Sequence, residues 1–322
     1  MAVYTKIDNQ DLLSLSNSYK LGKITKSKGI KKGIENTNYL LKTNKKKFIL
    51  TIFEKRVQKK DLPFFMNLME KLDQKKIICP KPLKNSKGKH LSKIKNKPAS
   101  IVTFLSGSDK TNLNYKNCFD IGKNIAKFHK VTSKIKLYRE NSMSIKKLDG
   151  LLKSIKVKSN KISSKLKPTL NMCLKDIKSQ WPKKLPSGII HGDLFIDNIF
   201  FNKNRFSGFI DFYFSSNDYL MYEIAICINA LCFDQKKNSF KINYKKVKNL
   251  IDGYETIRPF TKNEKKALNI LCRGAALRYL LTRIYDYLNT PKTALIRIKD
   301  PNEYFQKLIF HNNLNNYKDY YK

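Results

Sequence analysis

In the first third of the chain, short runs of apolar residues, rich in β-branched and aromatic types, are separated by polar turns. Residues 37–41 (TNYLL) and 47–53 (KFILTIF) flank such a turn, and the pattern predicts an antiparallel hairpin. A second hairpin is predicted around residues 86–89, before another β-branched and aromatic run at 99–105. This part of the chain is therefore expected to be rich in β-structure.

Helical spacing of apolar residues interrupts this pattern once and then dominates the rest of the chain. One helix is expected after Asp61, its predicted N-cap, with Pro63 in the first turn. Residues 118–131 place their apolar side chains on one helical stripe, and residues 271–288 give the strongest helical pattern. The C-terminal two thirds are therefore expected to be mainly helical.

The order of these elements predicts an α+β protein with two lobes. A β-rich lobe with one helix covers residues 1–105, and a larger, mainly helical lobe covers residues 106–322. Short strands at 188–191 and 206–214 flank a polar loop within the second lobe. Such an arrangement favours a small-molecule site in a cleft.

Length and composition agree with a folded protein of this size. The chain has 322 residues, of which 41% are apolar, and its six scattered cysteines form no CxxC pair, so we expect reduced, mostly buried thiols. The N-terminus lacks the features of a signal peptide, and the longest apolar run, 219–233, is shorter than the ~20 residues of a membrane span. We expect a cytoplasmic protein that does not enter a membrane.

The formal charge of +41 raises the possibility of nucleic-acid binding. Only eight of the 66 basic residues are Arg, however, and the Lys residues are spread along almost the whole chain. Nucleic-acid surfaces favour Arg and concentrate charge on one face. The Lys excess therefore indicates a compositional bias at solvent-facing positions, and no nucleic-acid partner is expected.

Three polar side chains stand out among apolar neighbours in the segment HGDLFIDNIFF and the strand after it. Asp193 and Asn198 lie five residues apart, and Asp211 ends an apolar run 18 residues after Asp193. Phosphoryl transfer needs a carboxylate that orients the attacking hydroxyl and oxygen ligands for Mg²⁺. Asp193 fits the role of base, and Asn198 and Asp211 fit the role of metal ligands.

The pattern HGDxxxxN followed by IDF resembles the catalytic loop and metal-binding aspartate of the aminoglycoside phosphotransferase and choline kinase superfamily, which shares its fold with protein kinases. The resemblance implies ATP and Mg²⁺ as cofactors and a scaffold role for His191. It also implies a phosphate-covering turn and an interlobe segment that pairs with adenine. The corresponding residues are Gly33, Asn36 and Asn38 for the turn, and Thr103, Phe104 and Leu105 for the adenine segment.

The chain departs from the superfamily at one position. Where the third strand usually carries a Lys or Arg that contacts the α- and β-phosphates, this sequence has Thr51. Lys55 or Arg56, just beyond the strand, could supply the charge, with Glu70 as a paired acid.

Several further stretches resemble the bacterial homoserine kinase family, among them FILTIFEKR, DLPFFMNLMEKL, IVTFLSG and RGAALRYLLTRIYDYLNTP. The resemblance covers nearly the whole chain and is weakest across residues 145–175. In that family Thr51 is ordinary. The resemblance implies phosphorylation of the side-chain hydroxyl of L-homoserine, a step toward threonine.

Homoserine is a zwitterion, so its site needs an acidic and a basic group. Asp218 and Glu223 are candidates for the ammonium, and either Arg278 or Arg283 could bind the carboxylate through two hydrogen bonds. Both arginines lie on a predicted helix where neighbouring residues such as Tyr279 indicate packing, so paired structural roles remain an alternative.

Other functions stay open at this point. The same chemistry could act on choline, ethanolamine, a sugar or an aminoglycoside, and a Lys-rich nucleic-acid-binding protein is the alternative from a different class. A protein kinase is disfavoured because the HRD, DFG and GxGxxG patterns are absent from the sequence. The sequence indicates no obligate protein partner.

Overall fold

The structure is a computed structural model, and it describes residues 4–30, 36–54, 57–156, 166–290, 299–314 and 316–321. The chain divides into two compact units. The smaller unit comprises Met1–Gly107 together with Ser207–Tyr213, and the larger comprises Ser108–Phe206 with Phe214–Lys322. The segment 207–213, which the sequence analysis assigned to the C-terminal lobe, thus belongs by its contacts to the smaller unit.

The smaller unit is built around a five-stranded antiparallel sheet with strand order β1-β2-β3-β5-β4. Its elements are α1 (Asn9–Tyr19), β1 (Ile24–Gly29), β2 (Thr37–Thr43), β3 (Lys47–Ile52), α2 (Leu62–Gln74), β4 (Leu91–Ile94) and β5 (Lys97–Thr103). The predicted hairpin of β2 and β3 is confirmed, as is α2, which follows Asp61 and carries Pro63 in its first turn.

Two details of this unit differ from the prediction. The tight turn of the second hairpin lies at Lys95–Asn96, not around residues 86–89, and both turn residues have positive φ. Residues 86–89 instead form a turn whose backbone N–H groups donate to Asn85 Oδ1. The helix α1 is additional to the one helix expected. Its sequence shows no clear apolar stripe, since only Leu15 and Tyr19 on it are buried.

The sheet register decides which side chains of this unit share a face. Asn38 lies opposite Thr51, and Thr51 lies opposite Ser100 on the next strand. The other face, with Leu41, Leu50 and neighbouring apolar residues, packs with α1 into the hydrophobic core. The polar triplet Asn38–Thr51–Ser100 therefore occupies the face opposite this core.

The larger unit is mainly helical, and the expected α+β fold class is confirmed. Its helices are α3 (Tyr115–Thr132), α4 (Leu148–Lys156), α5 (Leu166–Gln180), α6 (Leu220–Leu231), α7 (Tyr244–Glu255), α8 (Lys262–Asn289) and α9 (Pro301–Asn312). Its strands are β6 (Ser187–Ile190), β7 (Ile199–Asn202), β9 (Ser216–Tyr219), β10 (Phe233–Lys236) and β11 (Ser239–Ile242). The strand β8 (Arg205–Phe209) starts in the larger unit and ends in the smaller one.

The apolar run that the sequence analysis singled out forms α6, which is buried along nearly all of its length. The helices α3 and α7 approach closely at two glycines. A Cβ atom added at Gly122 would lie 1.9 Å from Leu250 O, and one added at Gly253 would lie 2.0 Å from Phe119 O. Among the residues that the structure describes, no helix is both long and apolar enough to cross a membrane. The expectation of unpaired, mostly buried cysteines is confirmed, since all six are free thiols and five are buried.

Candidate active site

The HGD motif lies in the loop of residues 191–198, between β6 and β7 of the larger unit. The strand β6 pairs antiparallel with β9, which fixes where the loop starts. Gly192 has φ of +79°, and a Cβ atom there would lie 2.9 Å from Phe214 O. Glycine is therefore required at this position both by the backbone conformation and by the close approach of the neighbouring chain.

The buried carboxylate of Glu223, on α6, holds the start of this loop. The side chain is fully buried, its Oε2 accepts a hydrogen bond from the backbone N–H of His191, and its Oε1 accepts one of 3.1 Å from the N–H of Gly192. His129 lies beside it, with Nε2 3.9 Å from Glu223 Oε2. A carboxylate that accepts backbone N–H groups in the interior fixes those groups strongly.

This arrangement gives Glu223 a role that the sequence analysis did not assign. A buried carboxylate occupied by backbone donors is not placed to receive the ammonium of a substrate. The signal was present in the sequence, because one Glu inside a long apolar run must find a partner when it is buried. His191 is also buried, and its carbonyl accepts a hydrogen bond of 3.4 Å from Ser215 Oγ. Its backbone N–H and its carbonyl therefore both help to hold the loop in place.

Asp193 is half-buried and lies in contact with two side chains that fix its position. The amide of Asn198 donates through Nδ2 to Asp193 O at 2.8 Å and reaches Asp193 Oδ2 at 3.3 Å. The hydroxyl of Tyr279, on α8, lies 3.1 Å from Gly192 O and 3.3 Å from Asp193 Oδ1 and donates to this pair. The structure thus brings Asp193 and Asn198 together, and it adds Tyr279.

Tyr279 was interpreted from the sequence as a packing residue. Its ring does pack, edge to face against Phe195 at a centroid distance of 4.9 Å. Burial raises the pKa of its hydroxyl well above the ordinary value, so Tyr279 stays a neutral donor toward Asp193.

Asp211 lies in the segment that belongs to the smaller unit. It is exposed and has φ of +63°, a left-handed conformation that is uncommon for a residue other than glycine and that Asp tolerates better than most. Next to it, Tyr213 packs edge to face against Phe53 and Phe65, with ring centroids 5.1 and 5.6 Å away. These aromatic contacts hold the Asp211 segment in the smaller unit.

The residues predicted to contact the nucleotide are placed as follows. Thr51 is buried and donates to Asn38 Oδ1 at 2.8 Å, and Asn36 Oδ1 accepts from the N–H of Glu54 at 3.3 Å. In the adenine segment, Thr103 Oγ1 accepts from Lys81 N at 2.9 Å. The Lys47 ammonium lies over the ring of Phe104, and Gly208 lies close to the side chain of Leu105. Gly33 lies outside the described residues.

The contacts of the described residues do not show which side chain supplies the phosphate-contacting cation expected near Thr51. Lys55 and Arg56 lie outside the described residues. Glu70, their suggested partner, instead pairs with Lys84 at 2.6 Å and with His90 at 3.3 Å. Thr51 itself is part of a neutral hydrogen-bonded pair on the polar face of the sheet.

The structure separates the two arginines proposed for the acceptor carboxylate. Arg283 donates from Nη1 to Glu303 Oε2 at 2.6 Å and to Asp300 O at 2.9 Å, so it serves an ion pair between α8 and α9. Arg278 is 3% exposed, and its Nε and Nη1 have no hydrogen-bond partner among the described residues. Only Arg278 is thus left without a counterion bonded to it.

Asp218 is the remaining acidic candidate. Its Oδ2 accepts from Asn141 Nδ2 at 2.6 Å and its Oδ1 from the backbone N–H of Tyr219 at 2.7 Å. Burial raises the pKa of this carboxyl, while the hydrogen bond from Asn141 and the charge of Arg278 act in the opposite direction. Asp218 and Arg278 are therefore close enough to interact electrostatically.

Comparisons with known proteins show the family to which the chain belongs. Residues 26–260 match the family described as "Phosphotransferase enzyme family". An amicoumacin kinase solved with AMP-PNP, Ca²⁺ and Ami has a TM-score of 0.72 at 14% identity, covering 95% of this chain and 92% of that one. A spectinomycin phosphotransferase solved with ADP and its antibiotic has a TM-score of 0.62 at 13% identity, covering 98% of each chain. The chain belongs to the phosphotransferase enzyme family.

Proteins of higher sequence identity show to which branch of this family the chain belongs. The homoserine kinase of Agrobacterium fabrum is 41% identical over 320 residues, which cover 99% of this chain and 98% of that protein. The homoserine kinase of Paramagnetospirillum magneticum is 41% identical over 317 residues, covering 97% and 96%. Within the phosphotransferases, the chain belongs to the homoserine kinase family, as the sequence resemblance predicted.

Proposed function

We propose that the protein transfers the γ-phosphoryl group of ATP to the side-chain hydroxyl of L-homoserine, giving O-phospho-L-homoserine and ADP on the route to threonine. The observation that carries the proposal is the full-length similarity to homoserine kinases, 41% over 320 residues in one of them. The arrangement of Asp193, Asn198 and Tyr279 supports the chemistry.

Asp193 is the proposed base. It orients the hydroxyl of the acceptor in line with the γ-phosphorus and takes its proton as the new O–P bond forms and the bond to the β–γ bridging oxygen breaks. The electron pair of the broken bond leaves with ADP. Asn198 and Tyr279 hold Asp193 in one orientation, which reduces the entropy that must be lost before reaction.

Asn198 and Asp211 are the proposed Mg²⁺ ligands. Asn198 uses its amide N–H group on Asp193, so its amide oxygen is the atom available to a cation. An amide oxygen and a carboxylate are hard donors that suit Mg²⁺, which takes its other ligands from substrate phosphates and water. When bound with ATP, Mg²⁺ would offset the negative charge of the phosphates.

The proposed nucleotide contacts lie on the smaller unit. Asn36 and Asn38, with Gly33, would cover the phosphates, and Thr51 shares a hydrogen bond with Asn38 on the polar face of the sheet. The segment Thr103–Leu105 follows the end of β5 and would pair with adenine. Lys55 or Arg56 would supply the missing cation.

The remaining expectations stay predictions. Free, mostly buried cysteines support a cytoplasmic location. The diffuse Lys excess supports the expectation that the protein binds no nucleic acid. That it has no obligate protein partner stays an expectation from the sequence.

The first test is a coupled ADP-release assay with Mg²⁺ and ATP across homoserine, serine, threonine, choline, ethanolamine and kanamycin. We expect turnover on homoserine and at most slow turnover on the others. The Asp193→Asn variant should lower kcat by about 10²- to 10⁴-fold, the usual contribution of a positioned base. Omitting Mg²⁺ should abolish the signal.

The matched control is Asp149→Asn, which removes an exposed carboxylate that pairs only with Lys178 in the described contacts. It should keep both kcat and the melting temperature. Preferred turnover on a different acceptor would leave the phosphoryl-transfer mechanism in place and overturn the choice of homoserine.

A further inference from the structure

Arg278 is a buried charge that the fold leaves incompletely satisfied. Its side chain is 3% exposed, and Nε and Nη1 are buried without a hydrogen-bond partner in the part of the chain that the structure describes. A buried guanidinium without its full set of acceptors is strongly unfavourable unless an anion joins it. The site therefore requires an explanation in terms of a bound group.

A second buried arginine on α8, Arg283, allows a comparison of the hydrogen bonds made by the two side chains. Arg283, on the same helix, is also buried, but it donates to Glu303 and to Asp300 O and is thereby satisfied within the fold. Within the described part of the chain, Arg278 contacts the hydroxyl of Tyr222 and the ring of Tyr279, whose centroid lies 4.7 Å from Cζ. The two arginines thus share an element and differ in their counterions.

Arg278 lies next to the proposed reaction centre. Tyr279, whose ring stacks with the guanidinium, carries the hydroxyl that lies 3.3 Å from Asp193 Oδ1. The negative charge of Asp193 favours the charged form of Arg278, and Asp218 is also within electrostatic range. An anion at Arg278 would therefore lie beside the tyrosine whose hydroxyl contacts the base.

We propose that Arg278 binds the carboxylate of the acceptor, with Asp218 facing its ammonium group. The proposal rests on the proposed function, and it names the part of the site that selects homoserine.

Asp218 can take part without losing its present contacts. Each of its oxygens accepts one hydrogen bond, from Asn141 or from the backbone of Tyr219, and a carboxylate has about four acceptor positions. Glu223 and Arg283 are excluded from this subsite because backbone donors and Glu303, respectively, already occupy them.

The test compares two acceptors that differ only in the carboxylate. The wild-type enzyme is assayed with L-homoserine and with 3-amino-1-propanol, which has the same hydroxyl and amine but no carboxylate. We expect kcat/KM for homoserine to exceed that for 3-amino-1-propanol by at least about 100-fold, because a site built for a charged partner rejects an analogue lacking it. Equal efficiency on the two would overturn the proposal without any variant.

The variant Arg278→Met then assigns the discrimination to one side chain. It should lower kcat/KM for homoserine by about 100-fold, mainly through KM, and leave the value for 3-amino-1-propanol nearly unchanged. Arg278→Lys should recover part of the loss if Met perturbs the fold. The control Arg273→Met removes an arginine of the same helix that pairs with Asp176 and Asn312, and it should not change the ratio.

Three outcomes separate the possibilities. A fall by the same factor for both acceptors would show that Arg278 acts through Asp193 as a positioning residue, which overturns the carboxylate assignment while homoserine kinase activity stands. If only the Arg278 variants lose the preference for homoserine over 3-amino-1-propanol, the carboxylate assignment is supported. Wild-type enzyme that turns over no homoserine at all would reject the proposed function itself, and the carboxylate assignment with it.

Discussion

The catalytic loop of the larger unit and the nucleotide-side strands of the smaller unit are fixed by contacts of different kinds. The loop is held by residues far away in the chain, since Glu223 lies 32 residues from His191 and Tyr279 lies 87 residues from Gly192. On the strands, Asn38 and Thr51 are 13 residues apart and meet because the hairpin register places them opposite each other.

The contacts also differ in charge and burial. At the loop, a fully buried carboxylate accepts backbone N–H groups, whereas the strand pair is a neutral bond between two side chains. A buried charge with backbone partners is costly to disturb, and a neutral hydrogen bond contributes about 1 kcal/mol. We infer that the position of the catalytic loop depends on a few essential side chains, and that the strands depend on many small contributions.

The largest effect is expected from Glu223→Gln. The amide would turn one N–H donor toward the N–H of His191 or Gly192, which leaves a buried backbone donor unsatisfied. We expect the free energy of unfolding to fall by about 2–4 kcal/mol, measured by urea denaturation. We also expect kcat to fall by about 100-fold or more, because Asp193 follows the two anchored residues.

The exposed pair of Glu140 with Lys147 provides the matched control, since Glu140→Gln should change stability by less than about 1 kcal/mol and leave kcat unaltered. If Glu223→Gln lowered stability while kcat stayed at the wild-type value, the loop would have to be positioned by other contacts. In that case the contrast between the two regions would no longer hold.

A smaller effect is expected from Tyr279→Phe. The substitution keeps the ring that packs against Phe195 and removes the hydroxyl that reaches Asp193 Oδ1 and Gly192 O. Losing this neutral donor should lower kcat by about 5-fold, consistent with a contribution of about 1 kcal/mol, and should leave KM for ATP unchanged. Steady-state kinetics with homoserine and ATP varied separately would measure both.

Tyr285→Phe is the corresponding control on the same helix, because the Tyr285 side chain is 38% exposed. Equal effects of the two substitutions on kcat would assign the Tyr279 result to packing of α8 and not to its bond with Asp193.

The same contrast explains which features could be predicted from the sequence. The β2–β3 hairpin and the Asp193–Asn198 pair follow from nearby residues, and the structure contains both. The roles of Glu223 and Tyr279 depend on how α6 and α8 pack around the loop, which no local pattern encodes. The hairpin expected around residues 86–89 was wrong because Gly88 marked a turn there, whereas the strands reverse at Lys95–Asn96.

The two arginines of α8 illustrate the same limit. Both Arg278 and Arg283 lie in a helix that is buried over most of its length, so no exposed face distinguishes them. The difference comes from α9, which brings Glu303 to Arg283 and not to Arg278. The positions of counterions on another helix are a tertiary property, and the sequence therefore left the two residues as alternatives.

The smallest effect is expected from Thr51→Val, which tests the strand side of the comparison. Valine keeps the β-branched shape and removes the hydroxyl that donates to Asn38 Oδ1. We expect a loss of about 1 kcal/mol or less in the free energy of unfolding, and an increase of about two- to threefold in KM for ATP with kcat nearly constant. Thr25→Val, which removes an exposed hydroxyl bonded to Lys42 O on the neighbouring strand, should leave KM for ATP unchanged. A loss from Thr51→Val as large as that from Glu223→Gln would mean that one neutral bond fixes the sheet face as firmly as a buried charge fixes the loop.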